Sequence, residues 1–439
     1  MELVWHRNDL RVHDHPALNA AVAGGPCLGL VIIEPRERNY LSIRRQAWFH
    51  LNVRELSRAY RDRGGTLIIK SGYPWEVLPA LATQTSATAV RALKRYSPDG
   101  QVWDKKTEMS LRIPIFWHAG NYLYEPGTVV KNDSTSYVIF SPYARRAKKF
   151  PWPDPLPSPE VIPGPQTTAL GEIPDEPIDC SLPEAGEGPA LKLLGSFLIN
   201  GVENYHKTRN ALDGRGTSHF SPYFTLGVLS PRLAASVVTK LSGPGSEKWL
   251  AELFWRDFCA DLLLNYPQLR ILPFDRRWLK FPWRHDLQKF EAWKSGRTGV
   301  PVVDAAMREL RTNGWISNRA RMLAAQFLVK YLFVPWQWGE RYFRNCLIDG
   351  DLASNVVGWQ WAGGLGVDAV PYFRVFNFER QIMQHDPEGS WLRRWSPEYP
   401  ENPNGSEPIV DLARMRLQYL EIAQVIKRHP SATTSKKMD

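Results

Sequence analysis

Four segments in the second half of the chain concentrate hydroxyls, carboxylates, guanidinium groups and tryptophans at spacings that could do chemistry. In TSHFSPYFTLGVLSPR, residues 217–232, Thr217, Ser218 and Ser221 gather hydroxyls and backbone N–H groups ahead of a helix. Such a cluster can hold phosphate, because a helix N-terminus offers free donors and a positive dipole; the same residues also read as plain helix capping. WLAELFWRDF sets Trp249, Glu252, Trp255 and Arg256 on helical spacing. Glu252 and Arg256 could form an ordinary surface ion pair, stabilising by about 0.3–0.5 kcal/mol, or the flanking tryptophans could bury a working carboxylate. In GRTGVPVVDAAMRELRTNGWISNRARM, Asn318, Arg321 and Met322 share one helix face, and in DGDLASNVVGWQWAGGLGVDAVPYFRVFNF, Asn355 and Trp359 stand one helical turn apart.

Two kinds of element must position these groups. Residues 1–130 alternate apolar runs (LVWH, PCLGLVII, TLIIK, ATAVRAL, IPIFWH) with amphipathic stretches such as RRQAWFHLNVRELSRAYRDRGG, where Ala47, Leu51, Val53, Leu56 and Tyr60 fall near a helical period. Parallel strands need helix-length return connections, so the pattern predicts an α/β domain with a doubly wound, Rossmann-like parallel sheet. It carries neither GxGxxG nor a P-loop. Residues 131–190 are expected to be an interdomain linker running extended over the surface, with eleven prolines among residues 151–190. Residues 191–425 lose the strand pattern and read as an all-α domain, and 426–439 form a basic tail.

Bulk properties narrow the function class. A chain of 439 residues is long enough for two or three domains, and a formal net charge of +10 favours a polyanionic partner, nucleic acid first among them. Twelve of the eighteen tryptophans lie between Trp249 and Trp395, where they could fill a core, stack bases or a planar cofactor, or relay electrons. Cys27, Cys180, Cys259 and Cys346 stand far apart without metal-ligand spacing, so neither disulfides nor a metal are expected. The N-terminus lacks the apolar core of a signal peptide, and no run is long enough to span a membrane, which points to a soluble, cytoplasmic protein.

In this order and spacing, the four segments, together with WHRNDLRVHDHPAL at the N-terminus, closely resemble the photolyase/cryptochrome family over nearly all of residues 1–425. The resemblance implies that the helical half is an FAD-binding domain. Tyr205, Thr217, Ser218, Ser221, Trp249, Glu252, Arg256, Asn318, Arg321, Asp349, Asp351 and Asn355 would line a U-shaped FAD. Hydroxyls, amides and Arg256 would suit the pyrophosphate, Asp349 and Asp351 the flavin ring, and Arg321 the charge of the reduced flavin, with Asn355 facing N5. Trp359, Trp336 and Trp283 would form the family's electron relay.

The activity implied is light-driven splitting of cyclobutane pyrimidine dimers flipped out of DNA. Trp255 and Trp361 would flank the dimer, Met322 would pack on it, Asn318 would stand beside it, and Glu252 would hydrogen-bond a pyrimidine carbonyl. Relatives that act on (6-4) photoproducts carry histidines where this chain has Asn318 and Met322. A cryptochrome-like photosensor is the rival, disfavoured because the chain ends soon after the helical domain and keeps the dimer-repair set. An antenna pigment in the first domain is expected to be FMN or a deazaflavin, because YSPDGQVWD lacks the Asn-Glu pair of folate-binding relatives; Asp9, Arg11, Arg44 and Arg45 are its candidate contacts. The reading is of a monomer.

Overall fold

The computed structural model describes residues 1–35, 41–165, 171–175, 182–369, 371–398 and 407–428. Cys180, parts of the proline-rich segment and the tail from residue 429 onward lie outside the described residues.

The five apolar runs form five strands, β1 (Glu2–His6), β2 (Cys27–Ile33), β3 (Leu67–Ser71), β4 (Ala89–Leu93) and β5 (Ile115–His118). They make one parallel sheet in the order β3-β2-β1-β4-β5. All seven residues of β2, CLGLVII, are buried, as expected for a central parallel strand covered on both faces. Val4, Val31 and Leu67 join the core shared with the helices Pro16–Gly24 and Ile43–Arg61. Their neighbours Leu3, Trp5, Leu28 and Leu30 face the opposite way, against Leu78 and Leu81 of the helix Pro74–Thr85. The alternation along each strand thus feeds two helical layers, and the sheet is doubly wound.

Beyond the sheet the chain is helical. Among the described residues no helix is long and apolar enough to cross a membrane. The stretch expected to be linker departs from that reading at both ends. A helix, Phe140–Ala147, folds within it by turning Tyr143 and Ala147 inward, and another, Glu187–Asn200, begins before residue 190. Between them, residues 151–165 contain no helix or strand but lie against the first domain: Ile162 is fully buried, its N–H donates to Arg63 O (2.9 Å), and Cys27 N–H donates to Pro163 O (2.7 Å).

The two halves share one core and are clasped by buried polar groups. Leu10 N–H donates to Leu226 O (3.0 Å), and the fully buried Arg11 donates to Gly227 O (2.8 Å) and Gly120 O (2.7 Å). Asp14 pairs with Arg232 (2.5 Å), and His13 with Glu187. The approach requires glycine at 227, where φ is +60° and a Cβ would stand 2.2 Å from Asn8 O. From the other side, Asp257 accepts from Tyr124 N–H (2.8 Å) and Leu123 N–H (3.4 Å), and Asp261 accepts from Gly127 N–H (2.7 Å).

Candidate cofactor and substrate site

The site is assembled from four segments of the helical half. The helix Pro244–Asn265 supplies Trp249, Glu252, Trp255 and Arg256; Asn318–Lys330, capped by Ser317, supplies Asn318, Arg321 and Met322; Leu352–Gly363 supplies Asn355, Trp359 and Trp361. The turn around residues 217–221 closes the set.

At its centre Arg321 donates to Asp349 Oδ2 (2.8 Å) and to Ile316 O (3.0 Å). Asp349 is 6% exposed, yet its other oxygen, Oδ1, has no partner among the described residues; Thr217 Oγ1 is likewise buried and unpartnered among them. A buried polar atom left unpaired costs roughly 1–3 kcal/mol, so the free oxygen of Asp349, beside the half-buried Arg321, fits the polar edge of a bound group, and Thr217 Oγ1 offers a second acceptor ahead of the helix Ser221–Thr225. Asn355 is oriented by Glu340: its Nδ2 donates to Glu340 O and Oε1 (both 2.9 Å), which leaves its own Oδ1 for the site. Burial raises the pKa of the Glu340 carboxyl. Asp351 caps the helix Leu352–Gly363 by accepting from Ser354 N–H (2.8 Å). Tyr205 and Trp249 are buried around Phe197, and Ser221 Oγ accepts from Trp315 Nε1 (3.3 Å). Ser218 is half-buried and Asn318 exposed, with Asn318 Nδ2 placed 3.6 Å from Met322 Sδ.

The i,i+4 pair of Glu252 and Arg256 does not form. Glu252 pairs instead with Arg209 and with Lys248 (3.4 Å). Arg256 turns away to donate to Asn121 O (2.5 Å) and Phe224 O (3.4 Å), its guanidinium 4.5 Å from the Tyr122 ring centroid. Trp255 and Trp361 are both half-buried. Trp255 lies flat against Phe140 (3.8 Å, 9°), and Trp361 donates through Nε1 to Asp368 Oδ2 (3.3 Å). Trp359 and Trp336 are buried and Trp283 half-buried. Trp359 touches Gly339, three residues beyond Trp336 on the helix Trp336–Cys346.

Two of the four antenna candidates do not survive. Arg11 is fully buried in the clasp between the halves, and Asp9, 1% exposed, is bonded by His15 Nε2 (3.0 Å), so neither can meet a pigment. Arg44 donates to Arg311 O (2.7 Å) and Arg45 to Arg344 O (2.5 Å), placing both at the junction of the halves. Ligand atoms of His6, Asp9 and His15 do come within 4.8 Å of one another, as metal ligands would. Hydrogen bonding explains them: His15 Nδ1 accepts from Leu18 N–H (3.1 Å), so Nε2 carries the proton given to Asp9. His6 donates through Nδ1 to Asp9 O (3.0 Å) and accepts from the Tyr60 hydroxyl at Nε2 (2.6 Å). Burial pushes the His6 pKa down to about 4.

Phe140, Arg209, Gly339, Glu340 and Asp368 were not singled out from the sequence. For Phe140 a signal existed, since FSPYARRA is amphipathic on a helical period.

A family model described as "DNA photolyase" matches residues 2–160, and one described as "FAD binding domain of DNA photolyase" matches residues 249–425. The chain is 49% identical over 427 residues to a Thermus thermophilus protein named "Deoxyribodipyrimidine photo-lyase", covering 97% of this chain and 99% of that one. Among solved structures it is similar to a bacterial class III photolyase from Agrobacterium tumefaciens (TM-score 0.91, 30% identity, 98% of each chain). It is also similar to an archaeal photolyase from Sulfolobus tokodaii with two FAD molecules (TM-score 0.85, 27% identity, 97% of this chain and 100% of that one).

Proposed function

The chain belongs to the DNA photolyase family, and from that premise we propose that it splits cyclobutane pyrimidine dimers in DNA, driven by light. The observation that carries this reading of the site is Asp349, whose Oδ2 accepts from Arg321 while its buried Oδ1 has no partner among the described residues; Thr217 Oγ1 is a second such atom on the loop ahead of the helix Ser221–Thr225. When bound and reduced, FAD supplies the light absorption and the electron that opens the cyclobutane ring.

The chain's own residues bind, orient and exclude water. Thr217, Ser218 and Ser221 suit a pyrophosphate, whose charge is favoured by free N–H groups ahead of the helix Ser221–Thr225. Asp349 Oδ1 would accept from the flavin, Arg321 would offset its negative charge, and Asn355, held by Glu340, would present its carbonyl oxygen. Tyr205 and Trp249 wall the pocket, and Asp351 keeps one oxygen for the bound group. Arg256 acts at a distance, since two backbone carbonyls take its donors. Trp255 and Trp361 stack on a flipped dimer, with Met322 and Asn318 beside it. A carboxylate in ion pairs with Arg209 and Lys248 accepts rather than donates, so Glu252 takes a pyrimidine N–H instead of the carbonyl first expected. The gradient from buried Trp359 and Trp336 to half-buried Trp283 suits an electron relay to the surface.

DNA docks by its phosphates on a protein of net charge +10, and a pigment of the FMN or deazaflavin type serves as antenna, with Arg44 and Arg45 the remaining candidate contacts. The protein works as a monomer in the cytoplasm. The deciding experiment follows dimer loss from UV-irradiated oligo(dT) mixed with chemically reduced protein, in blue light and in the dark. Light-dependent recovery of thymine supports repair; a flavin-loaded protein that leaves the dimers intact is a photosensor.

A further inference from the structure

The two half-buried tryptophans that bound the proposed dimer slot stand on different helices, and a single carboxylate reaches both. Asp368 Oδ2 accepts from Trp361 Nε1 (3.3 Å), while its Oδ1 accepts from Phe140 N–H (2.7 Å) at the start of the helix Phe140–Ala147. The ring of Phe140 lies on Trp255 with centroids 3.8 Å apart and planes 9° from parallel. One side chain therefore connects to Trp361 directly and to Trp255 through one stacked ring. Its backbone is left-handed, with φ at Asp368 of +54°, a conformation that aspartate and asparagine tolerate better than other residues with a Cβ. Arg374, 5.4 Å from the Trp361 ring centroid, steadies the same ring from another side.

We infer that Asp368 is a positioning residue that sets the spacing and tilt of the two tryptophan walls, and so the preference for dimer-containing over undamaged DNA. The inference rests on the reading of Trp255 and Trp361 as those walls. The geometry requires a carboxylate, because the two N–H groups reach different oxygens and both of those oxygens must accept. Asparagine tolerates the backbone conformation but offers one acceptor, and its amide would point hydrogens at the second N–H.

The test compares wild type, Asp368→Asn, Trp361→Phe (which keeps a ring and removes its N–H) and the double variant. Affinities are measured for duplexes with and without one thymine dimer, alongside FAD content and photoreduction rate. Asp368→Asn is expected to lower affinity for dimer DNA about tenfold, with binding to undamaged DNA, FAD content and photoreduction unchanged. The double variant should lose less than the sum of the two single changes, because both cut the same connection. Asp368→Asn with wild-type discrimination overturns the inference. So does a parallel loss of dimer affinity, undamaged-DNA affinity and FAD, which would mark Asp368 as ordinary scaffolding. A wild-type protein without dimer preference instead removes the photolyase reading, and this inference with it.

Discussion

At Gly339 the helix Trp336–Cys346 comes so close to Trp359 that an added Cβ would stand 2.1 Å from the indole edge and 2.6 Å from Leu328 Cδ2. The ring is further fixed by Phe343 (5.1 Å, 80°) and Trp293 (6.1 Å, 73°). Trp359→Phe is therefore expected to abolish photoreduction of oxidised FAD while repair by previously reduced protein continues, measured as bleaching of the flavin band under light with an external reductant. Equal loss of both activities would remove Trp359 from the relay. Gly339→Ala should slow the same bleaching by displacing the ring and destabilise the fold by about 1–3 kcal/mol through overpacking, readable in a denaturant titration. Much at this scale was legible beforehand, because hydroxyls before a helix and the turn-spaced Asn355 and Trp359 have local signatures. Asp368 had none: its role depends on a positive φ and on Phe140, 228 residues away.

Among the elements, the sheet was readable because each strand is a short apolar run bounded by polar turns, and the helix Ile43–Arg61 because its buried residues recur at the helical period. The helix Pro244–Asn265 hid part of its work, since apolar residues surround most of it and its inward carboxylates look like ordinary polar positions. Asp257 and Asp261, one turn apart, anchor the loop around residues 123–127 from the first half. Burial pushes the Asp257 pKa up to about 8. Asp257→Ala leaves two buried N–H groups unpaired and should cost about 3 kcal/mol, whereas Asp257→Asn keeps one acceptor oxygen and turns its NH2 toward the other N–H, and should cost about 1–2 kcal/mol. Equal losses in urea melts would show that the carboxyl contributes only volume.

For the molecule as a whole, the clasp around residues 6–15 makes stability depend on pH. His6 titrates at about 4 when folded against 6.5 ordinarily, because burial disfavours its charged form. Between those values the unfolded chain binds the extra proton, so the contribution is complete above pH 6.5 and declines as pH falls toward 4, by roughly 3 kcal/mol at most. His15, Asp9, Tyr60 and Arg11 face the same ring; His6→Phe should flatten the fall in Tm between neutral and mildly acid buffer, and an unchanged slope would assign it elsewhere. The order of an α/β half and a helical half was legible in the sequence, but not that the proline-rich backbone between them pairs with β2, because proline content signals where regular structure stops and not what the chain then touches. That pairing and the Gly227 contact bear on how such proteins can be recombined. A hybrid joining this first half to a relative's helical half should fold only when residues 7–15, 120–127, 162–163 and 226–232 descend from one parent, so the halves are inherited as co-adapted partners and not as exchangeable modules.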